Sequence, residues 1–236
     1  MVLLLCPPED SHALWLAARL RALGREVELV LPEELLIGSR LELRVASEAV
    51  AGELALARGP VLAQRCEGVI NRLQALPLLR AESGRAADAA YLEEEWRAAI
   101  VAWLAALEGA VLNRPTGVSL CGPCFADAHW RWLATRFGLA VLPWAAGASA
   151  EAPPGAGPDE LVFVVDGQVI DPGRILAPAA GRALAAMAQA AQLRLCGAVF
   201  DGSAAAPRLV RLDPLPPLAA GGAALVEAIA SALERP

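Results

Sequence analysis

Residues 2–30, VLLLCPPEDSHALWLAARLRALGREVELV, determine the fold that we expect for this chain. The first five of them form a short apolar run typical of a buried strand. Asp10 or Ser11 can cap the helix that follows, and Gly24 ends it. Residues 25–31, REVELVL, are predicted as a second strand. Two strands joined by a helix predict a parallel pair with a right-handed crossover, which is how an α/β fold begins.

The rest of the first half continues this alternation of strands and helices. Residues 39–47 and 52–59 alternate apolar and polar side chains, which predicts an antiparallel hairpin with one solvated face. Residues 66–73 and 109–115 are predicted as further buried strands. A helix is predicted between them, over 87–107, because large apolar side chains recur there at helical spacing.

A second domain is predicted after a linker rich in Pro, Gly and Ala. We divide the chain into a domain at 1–145, the linker at 146–159 and a domain at 160–236. Asp171 and Arg174 are expected in a solvated loop. The elements predicted on either side of the linker are a helix 125–139, a short strand 140–144, a hairpin 160–171 turning at Asp166-Gly167, a helix 179–192, strands 193–201 and 207–218, and a helix 223–233.

The composition excludes several classes of function. The chain has 236 residues and a net charge of −6, which argues against a general nucleic-acid binder. No apolar run approaches the ~20 residues that span a bilayer, and no basic signal-peptide region opens the sequence. We therefore expect a cytoplasmic protein without a membrane partner. All 20 Lys+Arg residues are arginine, so lysine chemistry, including a P-loop lysine, is excluded.

Two of the predicted strands end in the same dipeptide. VINR ends at Arg72 and VLNR ends at Arg114, so each strand presents Asn-Arg at its carboxyl end. Ligands of open α/β sheets bind at this edge. Asn71, Arg72, Asn113 and Arg114 are therefore candidate ligand-binding residues. The alternative is that both arginines are solvated strand ends without a ligand.

The order of these features resembles the ATP-grasp proteins, and in particular the ligases that crosslink or tail ribosomal peptides. The resemblance covers most of the chain and implies an α/β fold with a pre-ATP-grasp-like (Rossmann-like) domain and a reduced ATP-grasp-like C-terminal lobe. The segments that carry it are LLLCPPEDSHALWLAARLRALGREVELV (3–30), VINRLQALPL (69–78), EEEWRAAIVAWLAAL (93–107), AVLNRPTG (110–117), FGLAVLP (137–143), LRLCGAVFDG (193–202) and PRLVRLDPLPPL (207–218).

The chain departs from the family pattern where the nucleotide should bind. The segment that forms the ATP-binding lobe in complete members is reduced to the linker and one hairpin, and its two phosphate-binding lysines have no counterpart. Alignment with the family's magnesium ligands places Val199 where an Asp belongs, and Arg211 and Asp213 where a Glu-x-Asn pair belongs. A shift in register leaves Asp201 as a surviving carboxylate, with Asp213 as the second. The resemblance therefore implies a degenerate, truncated relative of these ligases.

The motif CGPC is shared with thioredoxins, which use it to exchange disulfides. Cys121 and Cys124 precede a predicted helix, whose N-terminus lowers the pKa of a nearby thiol. Thioredoxins, however, place a Trp before the motif, where this chain has Leu120. The alternatives are a structural Gly-Pro turn and a metal site completed by Cys196 or His129. The helix after the motif carries three residues that we expect to pack in the core: His129, Trp130 and Trp132.

These observations favour a non-catalytic accessory or scaffold protein with no cofactor. It would bind a partner enzyme or a peptide in a bacterial peptide-modification pathway. Because the lost lobe would leave apolar sheet surface uncovered, we also expect association with a partner or with further copies of the chain.

Two other hypotheses stay open. The first is an ATP-dependent carboxylate-amine ligase, in which four side chains hold ATP and Mg²⁺: Asp201, Asp213, Arg72 and Arg114. The second is a thiol-disulfide protein that acts through Cys121 and Cys124.

Overall fold

A computed structural model of the chain confirms the α/β class. The structure describes residues 1–36, 39–45, 50–56, 59–62, 66–76, 86–107, 109–143, 159–202 and 206–235. Contacts between residues divide the chain into two compact units, Met1–Gly122 with Ala230–Pro236, and Pro123–Ile229. The predicted linker at 146–159 lies outside the described residues except for Asp159, so the domain boundary placed there stays a prediction.

The helices and strands follow the predicted order closely. A short 3-10 helix, Leu218–Gly221, precedes the last α-helix. The described elements are β1 Val2–Leu5, α1 Ser11–Ala22, β2 Val27–Val30, α2 Pro32–Leu36, β3 Arg40–Val45, β4 Val50–Leu56, β5 Gly59–Leu62, β6 Gly68–Asn71, α3 Ala86–Ala106, β7 Ala110–Leu112, α4 Asp127–Arg136, β8 Asp159–Val165, β9 Gln168–Ile170, α5 Pro178–Ala190, β10 Leu195–Asp201, β11 Arg208–Asp213 and α6 Gly222–Leu233.

A parallel sheet with the order β2-β1-β6-β7 forms the centre of the first unit. The predicted parallel pair of β1 and β2 is confirmed. Every residue of β1 is buried, which explains its uninterrupted apolar sequence. Asp10 caps α1, because its Oδ1 accepts a hydrogen bond from the Ala13 amide at 2.9 Å. A cap of this kind stabilises a helix by about 1 kcal/mol.

A smaller antiparallel sheet, β3-β4-β5, carries the predicted hairpin and one strand that the sequence did not indicate, β5. Leu54 and Leu56 of β4 join the same apolar core as Trp103 and Leu104 of α3. Glu42 is held between two exposed arginines of β3, which confirms that the hairpin has a solvated face. The short helix α2 was also not predicted.

The second unit is built on an antiparallel sheet with the order β11-β10-β8-β9. The predicted turn at Asp166-Gly167 is confirmed, and both residues have positive φ angles (49° and 80°), as a tight hairpin turn requires. Helices α4 and α5 pack on one face of this sheet. That core includes Trp130, Met187 and Phe200.

The strand predicted at 140–144 is described only over 140–143, where one residue, Val141, forms a bridge with Leu209 of β11. Arg131 of α4 holds this segment in place. Its guanidinium donates to the carbonyls of Val210 (2.9 Å) and Leu142 (3.0 Å). Helix α4 therefore belongs with the antiparallel sheet.

The large apolar side chains that are exposed in the described part of the chain do not lie on strands. Among the described strands, the structure thus gives no support to the expected uncovered sheet surface. None of the described helices is both long and apolar enough to cross a bilayer. The exposed residues are Leu14, Leu23, Tyr91, Leu92, Val118, Phe125 and Trp132.

Candidate functional site

The carboxyl edge of the parallel sheet carries the first candidate residue, Asn71. Its buried side-chain amide donates to the carbonyls of Asn113 (3.0 Å) and Leu120 (2.6 Å). Its Oδ1 accepts a hydrogen bond from the Leu73 amide at 3.2 Å. Asn71 therefore ties the end of β6 to the loop after β7, and both ends of its side chain are engaged within the unit.

Arg72 is buried, so the alternative of a solvated strand end is wrong for this residue. Its Nε donates to Asp10 Oδ2 at 2.6 Å, and its Nη2 donates to Oδ1 at 3.4 Å. Burial alone would raise the pKa of the Asp10 carboxyl. The hydrogen bonds from Arg72 and from the Ala13 amide, with the Arg72 charge, outweigh burial and hold that pKa below its ordinary value. The ion pair locks the end of β6 to the start of α1.

Cys6 follows β1 at the same edge of the sheet. Burial, together with the negative charge of Asp10, raises the pKa of the Cys6 thiol to about 11. The thiol is therefore protonated at neutral pH, and a protonated thiol is neither a nucleophile nor a good metal ligand.

Arg114 closes the C-terminal end of α3. Its guanidinium donates to the carbonyls of Leu104 (2.6 Å), Leu107 (2.8 Å) and Gly109 (3.3 Å). Helices leave their last carbonyls without partners, and Arg114 satisfies them here. The preceding residue, Asn113, is buried and has a φ of 63°, which turns the chain after β7.

The remaining ligand candidates lie on the antiparallel sheet, where the register decides which side chains are neighbours. Val199 of β10 pairs with Arg211 of β11, and Gly197 pairs with Asp213. Val199 and Arg211, two of the three positions that align with the family's metal ligands, are therefore opposite each other. They present an isopropyl group and a guanidinium instead of carboxylates.

Asp201 is fully buried at the end of β10. It pairs with Arg208 of β11 on one side and with Asp159 of β8 on the other. The Asp201 carboxylate forms an ion pair with Arg208. Arg211 is half exposed and forms a longer ion pair with Asp159, with 3.5 Å between Nη1 and Oδ2.

As arranged, these side chains do not fit a magnesium ion. Mg²⁺ takes oxygen ligands in near-octahedral geometry. The Asp201 carboxylate is already in an ion pair with Arg208. Asp213 Oδ1 accepts a hydrogen bond from the Leu215 amide at 2.8 Å. In the described parts of the chain, no three His, Cys, Asp or Glu side chains are grouped so as to hold a metal ion. This also removes support for a metal site that combines the CGPC cysteines with Cys196 or His129.

The two cysteines of the CGPC motif have different environments, although neither forms a disulfide. Cys121 is buried, with its Sγ 3.4 Å from Ser119 Oγ, whereas Cys124 is exposed. Helix α4 begins only at Asp127, and Ala126 is its N-cap. The helix therefore starts later than the sequence suggested, and Cys124 lies two residues before its N-cap.

The expectation that the aromatic residues of α4 pack in the core is right for only one of them. Trp130 is buried, but His129 and Trp132 are exposed. The Phe125 ring lies 4.3 Å from the His129 ring, and the Arg136 guanidinium lies 5.4 Å from the centre of the Trp132 ring. These side chains pack against one another on the helix surface.

A pocket that sequence analysis missed lies between β9 and the start of α5, with a volume of about 360 Å³. That volume is typical of small-ligand sites. Asp171 Oδ2 accepts a hydrogen bond from the Leu176 amide at 2.8 Å. Asp171 Oδ1 is buried without a hydrogen-bond partner among the described residues. The side chains that define the pocket are Val169, Asp171, Leu176, Arg182 and Ala185.

Comparison with known proteins was made by sequence and by structure. No family model matches the chain, and no curated protein matches it significantly. Solved structures do match. The macrocyclase MdnC of Microcystis aeruginosa, bound with precursor peptide MdnA, has a TM-score of 0.72 at 12% identity, and the match covers 99% of this chain and 99% of the macrocyclase.

Two further matches are ligases with bound nucleotide. The ATP-grasp ligase PsnB, complexed with a phosphomimetic variant of its minimal precursor, Mg and ADP, has a TM-score of 0.70 at 15% identity, with 98% of each chain covered. A RiPP-associated ATP-grasp ligase of Chryseobacterium gregarium, in complex with ADP and a leader and core peptide, has a TM-score of 0.69 at 10% identity. That match covers 98% of this chain and 96% of the ligase.

The chain therefore has the fold of the ATP-grasp ligases, and the three similar structures named above hold a precursor peptide, a precursor variant, or a leader and core peptide. The resemblance inferred from the sequence is confirmed at the level of the fold. At 10–15% identity, the likeness establishes the fold alone.

Proposed function

We propose that this protein is a non-catalytic member of the ATP-grasp fold that binds a peptide, or a partner enzyme, in a bacterial peptide-modification pathway. The observation that carries this proposal is the internal use of the cationic side chains that a nucleotide would need. Arg114 donates hydrogen bonds to the last carbonyls of α3, and Arg72 forms an ion pair with Asp10. The chain has no lysine, so any other long cationic contact to a phosphate would have to come from a further arginine.

The peptide is proposed as the ligand because the similar solved structures hold precursor peptides, and because the second unit offers an open pocket. The pocket combines apolar walls, from Val169 and Leu176, with one acidic and one basic side chain, Asp171 and Arg182. Small-molecule and peptide sites commonly join apolar walls to a few polar groups that fix orientation. An apolar peptide side chain flanked by a polar group fits this chemistry.

Calorimetric titration with ATP and Mg²⁺, repeated with EDTA, tests whether the protein is non-catalytic. We expect no heat of binding under either condition. Magnesium-dependent binding in the micromolar range would contradict the proposal and support the ligase alternative. In that case, variants of Asp201, Asp213, Arg72 and Arg114 would locate the site.

Selection from a random peptide library displayed on phage tests whether the pocket binds peptides. Ala185→Leu would fill the pocket, whereas Ala186→Leu places the same side chain on an exposed part of α5 outside it. We expect selected peptides to lose binding to the Ala185 variant and to retain it with the Ala186 variant. Equal binding to both variants would remove the pocket from the proposal.

The ligase alternative draws its residues from both units, with Arg72 and Arg114 in the first and Asp201 and Asp213 in the second. The nucleotide complexes among the similar structures favour it. It requires each of these arginines, and Asp201, to give up the partner described above before contacting ATP or Mg²⁺. Replacement of the family's nucleotide lobe by a shortened segment stays a prediction.

The thiol-disulfide alternative is favoured by one observation, that Cys124 is exposed, forms no disulfide and lies three residues from Cys121. Insulin reduction by the native protein and by Cys121→Ser tests it. An activity that depends on Cys121 would support this alternative. The same rate for both proteins, or no activity in the native protein, would remove it.

A cytoplasmic location and self-association also remain predictions. Light scattering during size-exclusion chromatography measures the molecular mass directly. We expect a mass of twice 24.5 kDa or more if copies of the chain associate. A mass of one chain, at a protein concentration well above the micromolar range, would exclude stable self-association.

A further inference from the structure

Asp201 is a fully buried carboxylate, and a buried charge requires a counterion. Its neighbour across β10 and β11 is Arg208, and the two side chains form an ion pair. The Arg208 Nε is itself buried and has no hydrogen-bond partner among the described residues. The contact with Asp201 is therefore the polar interaction that orients this guanidinium.

A second pair of opposite charges adjoins the first. Asp159 lies opposite Asp201 across β8 and β10, and it pairs with Arg211 at 3.5 Å. The two carboxylates are thus matched by two guanidiniums. Glu160, the next residue of β8, lies on the opposite face of the sheet, so on the face shared by Asp159 and Asp201 each carboxylate has its own guanidinium.

We infer that Arg208 acts as a built-in cation that takes the electrostatic place of a divalent metal ion at Asp201. The protein as it stands then binds no Mg²⁺ at this carboxylate. Removal of the Arg208 charge should uncover a latent cation site. The inference concerns the charge balance of the second unit and does not depend on which peptide or partner the protein binds.

The experiment compares unfolding temperatures in MgCl₂, in MnCl₂ and in NaCl at matched ionic strength. The variants are Arg208→Met, which removes the charge but retains an apolar stem, and the double variant Arg208→Met with Asp201→Asn. Arg194→Met is the matched control, because Arg194 forms a comparable ion pair with Asp166 at 2.9 Å, but Asp166 is partly exposed.

We expect the native protein and the Arg194 variant to unfold at the same temperature in all three salts. Arg208→Met should unfold roughly 5–10 °C lower in NaCl, because the buried Asp201 carboxylate has lost its ion pair with Arg208. Mg²⁺ or Mn²⁺ should recover part of this loss. The double variant should show no recovery, because it lacks the carboxylate that would bind the cation.

Two results would overturn the inference. One is stabilisation of the native protein by Mg²⁺ or Mn²⁺ that Asp201→Asn abolishes, since the site would then already bind a cation. The other is an Arg208→Met variant whose unfolding temperature does not respond to either cation.

If Arg208→Met does not fold in NaCl, refolding from urea in the presence and absence of Mn²⁺ replaces the melting experiment. Recovery of folded protein only with Mn²⁺, and only when Asp201 is intact, supports the inference. Equal yields with and without Mn²⁺ contradict it. No step uses a peptide or ATP, so this outcome is separable from that of the proposed function.

Discussion

The sheet edge of the first unit and the pocket of the second unit use their polar groups in opposite ways. At the sheet edge, Asn71, Arg72 and Arg114 are each bound to groups of the same unit. In the pocket, Asp171 Oδ1 has no hydrogen-bond partner among the described residues, and Arg182 is exposed. The edge is where an open α/β fold would hold a ligand, but the exposed charged side chain, Arg182, lies beside the pocket.

The comparison shows that a position typical of ligand binding, such as the sheet edge, can lack polar groups that are available to a ligand. A buried polar group that is fully hydrogen-bonded stabilises the fold, and a ligand must displace its partner before contacting it. An exposed side chain beside an open pocket, such as Arg182, can contact a ligand without displacing a partner. Substitutions at the edge should therefore reduce stability strongly, whereas substitutions in the pocket should affect binding and leave stability nearly unchanged.

The largest effect is expected for Arg72→Met. It leaves the Asp10 carboxylate without its ion-pair partner in a site that is about nine-tenths buried (11% exposed). Loss of one member of a buried pair should lower the free energy of unfolding by about 3–4 kcal/mol, as measured by urea denaturation.

Arg40→Met is the control, because Arg40 forms an ion pair at the exposed surface of β3, where pairs contribute little. Similar, small losses for both variants would show that Arg72 is not the structural residue described here.

Asn71→Leu should have the second-largest effect. The substitution retains the size of the side chain but leaves the carbonyls of Asn113 and Leu120 without their donor. We expect a loss of about 2–3 kcal/mol in the free energy of unfolding. A loss below about 0.5 kcal/mol would mean that this network is dispensable and the edge is free to bind something else.

The pH dependence of stability offers a milder test of the same edge. Because the pKa of Asp10 is lower in the folded protein than the ordinary value of 3.8, its ion pair should stabilise the fold fully above that pH. The contribution should disappear as the pH falls below 3.8 and through the lower pKa of the folded state.

Asp10→Asn, which keeps the helix cap, isolates this contribution. The difference in unfolding free energy between the native protein and this variant should be constant above about pH 5 and shrink towards pH 3. A difference that stays constant across this range would contradict the lowered pKa.

The smallest effect on stability is expected for Ala185→Leu in the pocket. Open space adjoins Ala185, so the added atoms should change the unfolding free energy by less than about 0.5 kcal/mol. A large loss of stability would show that the pocket wall is tightly packed, and the contrast with the sheet edge would fail.

Most of the fold could be predicted because the deciding signals are local. Asp10 and Gly24 mark the ends of α1, and Asp166-Gly167 marks a tight turn. The elements that were missed, α2 and β5, are five and four residues long, too short for periodicity to reveal. The bridge at Val141 is held by contacts with β11, which lies almost 70 positions further along the chain.

The site was harder to predict, because its partners are distant in sequence. The sequence marked Arg72 as a strand-end cation, but Asp10, its partner, lies 62 positions earlier. The pairing of Arg208 with Asp201 depends on the register of two strands, which composition does not reveal. The pocket joins residues on either side of the 171–177 turn, and its α5 wall includes Gly181 and Ala185, which carry no chemical signature in the sequence.

The close packing of Gly68 on Leu233 has a consequence for how the protein is made. A Cβ on Gly68 would lie 2.6 Å from Leu233 Cδ2, so this strand of the first unit is shaped to receive the end of α6. Arg25 and Glu234 form an ion pair that joins the same two parts of the chain. During translation, Leu233 and Glu234 are added to the chain only after the whole second unit has been synthesised. The nascent first unit must therefore wait, with the surface around Gly68 uncovered, until residues 230–235 emerge to complete it.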